Sequence, residues 1–292
     1  MSATPRAIPF QRIAIVGTGL IGGSFGLALR DKIPSIQITG FDRRNVVEHA
    51  LAAGAITDGA TDLTSAVGEA DLVFIALPIG ATIDALPAIA ASARPDALVT
   101  DSASTKVLVC RAAARQFTGG RAQFLGGHPM AGKETSGIEH ASADLFRGSR
   151  YALVGVEAQA DARSKAFAEL IHTLGAETVW CDADTHDWAV GMVSHLPQML
   201  AVALASVVRD ETDETGMPLT LAGPGLKDSL RLAGSPYALW RDVALTNREN
   251  IARALDRITQ AVEHVRSHLG SKDLADEFEA ANELYKFLNR PH

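Results

Sequence analysis

The stretch Arg12–Arg30, RIAIVGTGLIGGSFGLALR, admits few folds. Ile13–Val16 is a short apolar, β-branched run of the kind buried in a parallel sheet. Gly17, Gly19 and Gly22 then form G-x-G-x-x-G, and from Leu20 the spacing becomes helical. Each glycine answers a different steric demand: a tight turn, close approach of backbone to a pyrophosphate, and close packing of helix on strand. Leu20 and Ile21 open a helix whose unpaired N–H groups face the phosphates. A second strand, IQITGFD, ends at Asp42, about 20 residues beyond Gly22, where a carboxylate meets a ribose. In this context the segment reads as a dinucleotide site; the alternative is a glycine-rich turn in another α/β unit. Asp42 favours NAD, because a carboxylate accepts from both ribose hydroxyls and repels a 2′-phosphate. Arg43 and Arg44 follow at once and keep NADP as the lesser alternative.

The strand–helix rhythm continues through Asp71–Pro78 (DLVFIALP) and Ala97–Asp101 (ALVTD), then a helix in SASTKVLVCRAAA capped by Ser102 or Ser104. AQFLGGHPMAG reads as one more strand running into a glycine-rich loop. RYALVGV and AETVWCD read as two further strands. This alternation predicts a Rossmann-type doubly wound parallel sheet, with ligands beyond the carboxyl ends of its strands. Pro78, Ser104 and His128 all follow such ends and are expected to gather at the nicotinamide half of the dinucleotide. The alternative for His128 is an exposed turn tip.

Composition narrows the function classes. A chain of 292 residues, 47% hydrophobic, supports about two domains. A net charge of -7 opposes nucleic acid and anionic membrane surfaces as partners. The N-terminal MSATPRAIPFQR carries no apolar core of signal-peptide length, and the apolar run Met199–Val208 is too short to span a bilayer. Cys110 and Cys181, far apart, suggest neither a metal site nor a disulfide framework, and fit a reducing cytoplasm.

From Asp184 onward the periodicity is helical. The expected division is a dinucleotide-binding domain over 1–182 and an all-helical domain over 183–292. DTHDWAVGMVSHLPQMLAVALASVVRD is apolar on most faces, so it is expected to be buried in a core or a subunit interface and kinked at Pro197. The all-apolar Met199–Val208 run points to a homodimer. His195, two residues before Pro197, reads on its own as a core histidine with one satisfied nitrogen. GPGLKDSLRLAGSPYALWRD then places Lys227, Asp228, Arg231 and Trp240 near loop signals. Arg231 has the fork geometry to hold a carboxylate; the alternative is a surface pair.

Together GTGLIGGS, DSASTK, GGHPMAGKETSG, SHLPQ, GLKDSLRLAGS and WRD..LTNREN resemble the prephenate dehydrogenase family over nearly the whole chain. The resemblance implies a Rossmann domain followed by an all-helical dimerisation domain. It implies NAD-dependent oxidative decarboxylation of prephenate to 4-hydroxyphenylpyruvate, with tyrosine as a possible active-site inhibitor. His128 resembles the catalytic histidine that takes the ring-hydroxyl proton, and Ser104 the serine that shares that hydroxyl and orients the histidine. Arg231 resembles the residue binding a substrate carboxylate. His195, Glu134, Asp228 and Trp240 match pocket positions. Lys133 departs from the family pattern, which more often has a small hydroxylated residue there. Its cation favours prephenate over arogenate, the nearest alternative substrate; a β-hydroxyacid dehydrogenase and a catalytically silent dinucleotide sensor are the more distant readings. A histidine base is expected to titrate near its ordinary value of about 6.5.

Overall fold

The computed structural model describes residues 9–119, 122–133 and 135–290. Its first part is a parallel sheet of Arg12–Val16 (β1), Gln37–Phe41 (β2), Asp58–Gly59 (β3), Leu72–Ile75 (β4), Leu98–Asp101 (β5) and Gln123–Leu125 (β6), in the order β3-β2-β1-β4-β5-β6. Helices Leu20–Lys32 (α1), Arg44–Ala52 (α2), Leu63–Val67 (α3), Ile79–Ser92 (α4) and Val107–Gln116 (α5) connect its strands. β4 and β5 are buried along their whole length, as apolar runs covered on both faces must be. Strand order reverses between β1 and β4, so the ligand crevice opens at their carboxyl ends. Phe25 of α1 stacks on Phe74 of β4 with ring centroids 4.0 Å apart. Both rings are fully buried, and truncating either costs about 3–5 kcal/mol.

The run AQFLGGHPMAG is two strands, not one. β6 ends at Leu125, and Gly127–Pro129 (β7) joins a different sheet with Arg150–Val154 (β8) and Glu177–Cys181 (β9). β7 is antiparallel to β8, pairing His128 with Ala152, and β8 is parallel to β9 through the crossover helix Ala162–Thr173 (α6). The break falls at Gly127 because side chains take its backbone groups: Asp101 accepts its N–H at 3.1 Å, and Lys106 donates to its carbonyl at 2.6 Å.

The helical part follows directly: Ala183–Val190 (α7), Leu196–Asp210 (α8), Met217–Thr220 (α9), Pro224–Leu230 (α10), Tyr237–Thr246 (α11), Arg248–Ser267 (α12) and Asp273–Leu288 (α13). Pro197 stands in the first turn of α8. The missing N–H is absorbed by a π-turn, Gly191–His195, linking α7 to α8. The resulting run Ala183–Asp210 is longer than the apolar stretch alone and, by length and composition, would reach across a membrane. It carries buried His186, Asp187 and His195, all hydrogen-bonded within the protein. The expected burial is only partial, since Val202, Leu204 and Val207 of α8 are open in the single chain.

Candidate active site

A cleft of about 1610 Å³ follows the carboxyl ends of β1, β2, β4 and β5 and is closed on its far side by α11 and the π-turn. Its cofactor end is built by the glycine turn. Gly17 sits at φ +96°, where a Cβ would lie 2.4 Å from the Ala76 carbonyl oxygen, and a Cβ on Gly22 would lie 1.9 Å from that of Gly17. Neither lines the cleft; they make the turn that lets Gly19, Leu20 and Ile21 line it. Gly19 caps α1 without a side chain, so the first N–H groups of the helix stay available to an anion. Asp42 accepts from the amides of Thr18 at 2.8 Å and Arg43 at 2.7 Å, which fixes its carboxylate while each oxygen keeps a further lone pair for a hydroxyl. The Arg43 side chain is 83% exposed. Pro78 begins the turn into α4 on the same wall. This set fits a dinucleotide: an uncapped helix N-terminus for phosphate and a held carboxylate for ribose.

His128 and Ser104 both line the middle of the cleft. Nδ1 of His128 lies 2.9 Å from Nε2 of His186, and Nδ1 of His186 lies 2.8 Å from Oδ1 of Asp187. The His128 ring is thus held at Nδ1 by His186. Asp187 corrects the expected serine cap. Helix α5 begins only at Val107, and the amides of Lys106 and Val107, which have no partner within the helix, are taken by the Asp187 carboxylate at 2.6 and 2.9 Å. Behind the strand, fully buried Lys106 pairs with Asp101 while holding the Gly127 carbonyl. Burial foremost, then the neighbouring His186, Lys106 and His195, holds the His128 pKa well below 6.5. The imidazole is thus neutral throughout the physiological range, which corrects the expected titration near 6.5.

His195 is buried at the opposite wall, its ring edge-on to Trp240 at 5.7 Å. Nδ2 of Asn247 donates to the Asp187 carbonyl at 2.7 Å and lies 3.1 Å from Nδ1 of His195. A carbonyl only accepts, so the Asn247 amide orientation is fixed, and Nδ1 of His195 must be the acceptor. Its proton is on Nε2. Burial lowers the His195 pKa to about 4, so this ring too stays neutral.

The other sequence-derived positions divide. Trp240 and Lys133 line the cleft, with Nζ of Lys133 donating to the His140 carbonyl at 2.7 Å. Arg231 and Asp228 are exposed on the helical part and are not among the cleft-lining residues of the single chain. Glu134 lies outside the described residues. Sequence reasoning missed Lys106, His186, Asp187 and Asn247. The available signal was the pair HD at 186–187, placed just before the run turns apolar at Trp188.

A Rossmann-type sheet whose glycine turn opens into a cleft holding neutral histidines defines a dinucleotide-dependent oxidoreductase. The chain belongs to the prephenate dehydrogenase family: residues 25–180 match the prephenate dehydrogenase nucleotide-binding domain, and residues 182–284 match its dimerization domain. It is 34% identical over 270 residues to a prephenate dehydrogenase of Lactococcus lactis, covering 87% of this chain and 74% of that one. The structure of A. aeolicus prephenate dehydrogenase with hydroxyphenyl propionate and NAD+ superposes with a TM-score of 0.89 at 25% identity, over 97% of this chain and 100% of that chain. Synechocystis arogenate dehydrogenase superposes at 0.80 with 27% identity, over 95% and 99% of the two chains.

Proposed function

We propose that the protein oxidises prephenate with NAD, releasing carbon dioxide and forming 4-hydroxyphenylpyruvate. The observation that carries this reading is His128: a neutral imidazole, its Nδ1 occupied by His186, lining the same cleft as the dinucleotide turn. NAD, when bound, supplies the hydride acceptor. His128 takes the proton of the ring hydroxyl at Nε2 while a hydride leaves the carbon bearing that hydroxyl. The ring carboxylate departs as carbon dioxide, its bonding electrons complete the aromatic ring, and the proton held on His128 returns to the phenol oxygen. A neutral base is what this sequence needs, and orientation supplies much of the remaining rate. Ser104 shares the hydroxyl. His195 presents Nε2–H as a donor to a substrate oxygen, and Trp240 walls the ring.

Under this reading residues 1–182 hold the cofactor and 183–292 the helical domain. NAD is used in preference to NADP through Asp42, and the enzyme works in the cytoplasm. Arg231, Asp228 and Glu134 take part in substrate binding as the resemblance implies. The protein is a homodimer, supported by exposed Val202, Leu204 and Val207 on α8 and by Phe278, Leu284, Phe287 and Leu288 on α13. NADH formation with prephenate, arogenate and small hydroxyacids, each with and without tyrosine, tests the assignment. Faster turnover of arogenate or of a hydroxyacid overturns it. Light scattering that finds a monomer at micromolar concentration overturns the dimer.

A further inference from the structure

We propose that His186 and Asp187 are positioning residues: a hydrogen-bonded pair that sets the tautomer of His128 and leaves its Nε2 bare toward the cleft. Asp187 is buried, and its oxygens accept the Lys106 amide at 2.6 Å and the Val107 amide at 2.9 Å. It faces the first turn of a helix, where negative charge is favoured. A carboxylate has no proton to give, so Nδ1 of His186, 2.8 Å from Oδ1, is the donor. With that single N–H on its ring, the arrangement proposed, His186 keeps Nε2 as an acceptor. That nitrogen lies 2.9 Å from Nδ1 of His128, so Nδ1 of His128 donates in turn. The remaining nitrogen of His128, Nε2, therefore holds a lone pair, and the residue lines the cleft. The carboxylate dictates, through two rings, which nitrogen of the proposed base is available.

The same chain serves the protonated state. One proton passes from the substrate hydroxyl oxygen to Nε2 of His128, and no second transfer is required. The imidazolium keeps its Nδ1–H on His186, whose other nitrogen stays on the Asp187 carboxylate, so the positive charge is met by a negative one through a continuous hydrogen-bonded line. With the opposite tautomer, Nε2 carries a hydrogen and accepts nothing. Helix α7 of the helical part thus sets the state of a base carried by β7 of the other part.

The role in turnover rests on the function proposed above; the tautomer rests on geometry alone, and the test separates them. In the full chain with 15N-labelled histidine, long-range 15N–1H correlation at neutral pH reads each ring directly, with His128→Asn and His186→Gln assigning the signals. The expected result is a protonated Nδ1 and a bare Nε2 on both rings. An Nε2–H tautomer at His128, or a doubly protonated His186, overturns the proposal whatever the substrate. In turnover, His186→Ala is expected to lower kcat about 10²-fold while KM and NAD affinity stay within about twofold, and added imidazole restores part of the loss. A folded His186→Ala protein with unchanged kcat overturns the role in turnover. If that variant does not fold, His186→Gln is read in its place by the same criteria. Wild-type protein inert toward prephenate refutes the substrate assignment and leaves the NMR result to decide the tautomer.

Discussion

Asp242 of α11 accepts the backbone N–H of Gly80, in the first turn of α4, at 3.0 Å. The carboxylate belongs to the helical part and the amide to the parallel sheet's wall, so one hydrogen bond ties the two sides of the cleft. Thr105 and Thr246 repeat the connection through their hydroxyls at 2.8 Å. The Gly80 amide foremost, with Arg241 assisting, holds the Asp242 pKa below its ordinary 3.8. A depressed carboxylate pKa adds stability above the unfolded value, and that contribution is lost as pH falls through the folded one. Asp242→Ala should cost about 1–2 kcal/mol at neutral pH, measured by urea unfolding. The deficit relative to wild type should shrink below pH 4. An equal deficit at pH 3 and pH 7 would mean the carboxylate's charge contributes nothing.

Lowering of the His128 pKa changes the expected pH profile. Only the neutral ring accepts a proton, and burial keeps it neutral well below 6.5. The kcat/KM for prephenate should therefore be flat from pH 6 to 8, with its acid limb displaced below about 6.5. His128→Asn should lower kcat by roughly 10²–10⁴ and retain NAD binding. A limb centred at 6.5 in wild type, or near-normal kcat in the variant, contradicts the assignment.

The glycine turn and the β1–α1 unit were legible because strand, turn and helix signals are local and agree with one another. His128 was legible for the same reason, sitting in a short run of small residues. The relay behind it was not. His186 and His195 are nine residues apart, about two and a half helical turns, which places them on opposite faces of a regular helix. The π-turn at Gly191–His195 alters that phase, and no local pattern announces it. The Asp187 cap on α5 joins residues 80 apart in sequence, so local serines were the natural but wrong choice. Gly127 hides a break between sheets because its hydrogen bonds go to side chains on β5 and just before α5.

Neutral buried histidines also predict acid sensitivity of the fold. His195 is held at about 4, chiefly by burial, against an ordinary 6.5. Below that ordinary value the unfolded chain binds a proton that the folded chain refuses, so stability falls as pH drops from about 6.5 toward 4. His195→Gln should flatten part of this decline in urea unfolding followed between pH 4.5 and 7.5. A wild-type stability independent of pH across that window would mean His195 gains its proton in the folded protein.

Asp42 is held by two amides and so cannot turn away from a 2′-phosphate. Asp42→Ser removes the repulsion and leaves the exposed Arg43 side chain able to meet the phosphate. The ratio of kcat/KM for NAD over NADP should fall by at least about tenfold, equivalent to about 1.4 kcal/mol. A wild-type enzyme that prefers NADP would reverse the role given to Asp42.

Lys133 bears on the choice between prephenate and arogenate. Lys133 lines the cleft, and its Nζ donates to the His140 carbonyl at 2.7 Å, a bond that tethers the cation without neutralising it. A fixed positive charge attracts the substrate's carboxylates and repels the ammonium group that distinguishes arogenate. Lys133→Ser should raise the KM for prephenate and narrow its kcat/KM advantage over arogenate by roughly 2–5-fold, the effect of up to about 1 kcal/mol for a solvent-exposed charge. Added salt should narrow the wild-type preference and leave that of the variant nearly unchanged, because only the charged wall is screened. A variant with the wild-type ratio at every ionic strength would place the discrimination in hydrogen bonds to the keto oxygen, with Lys133 serving only to tether its loop.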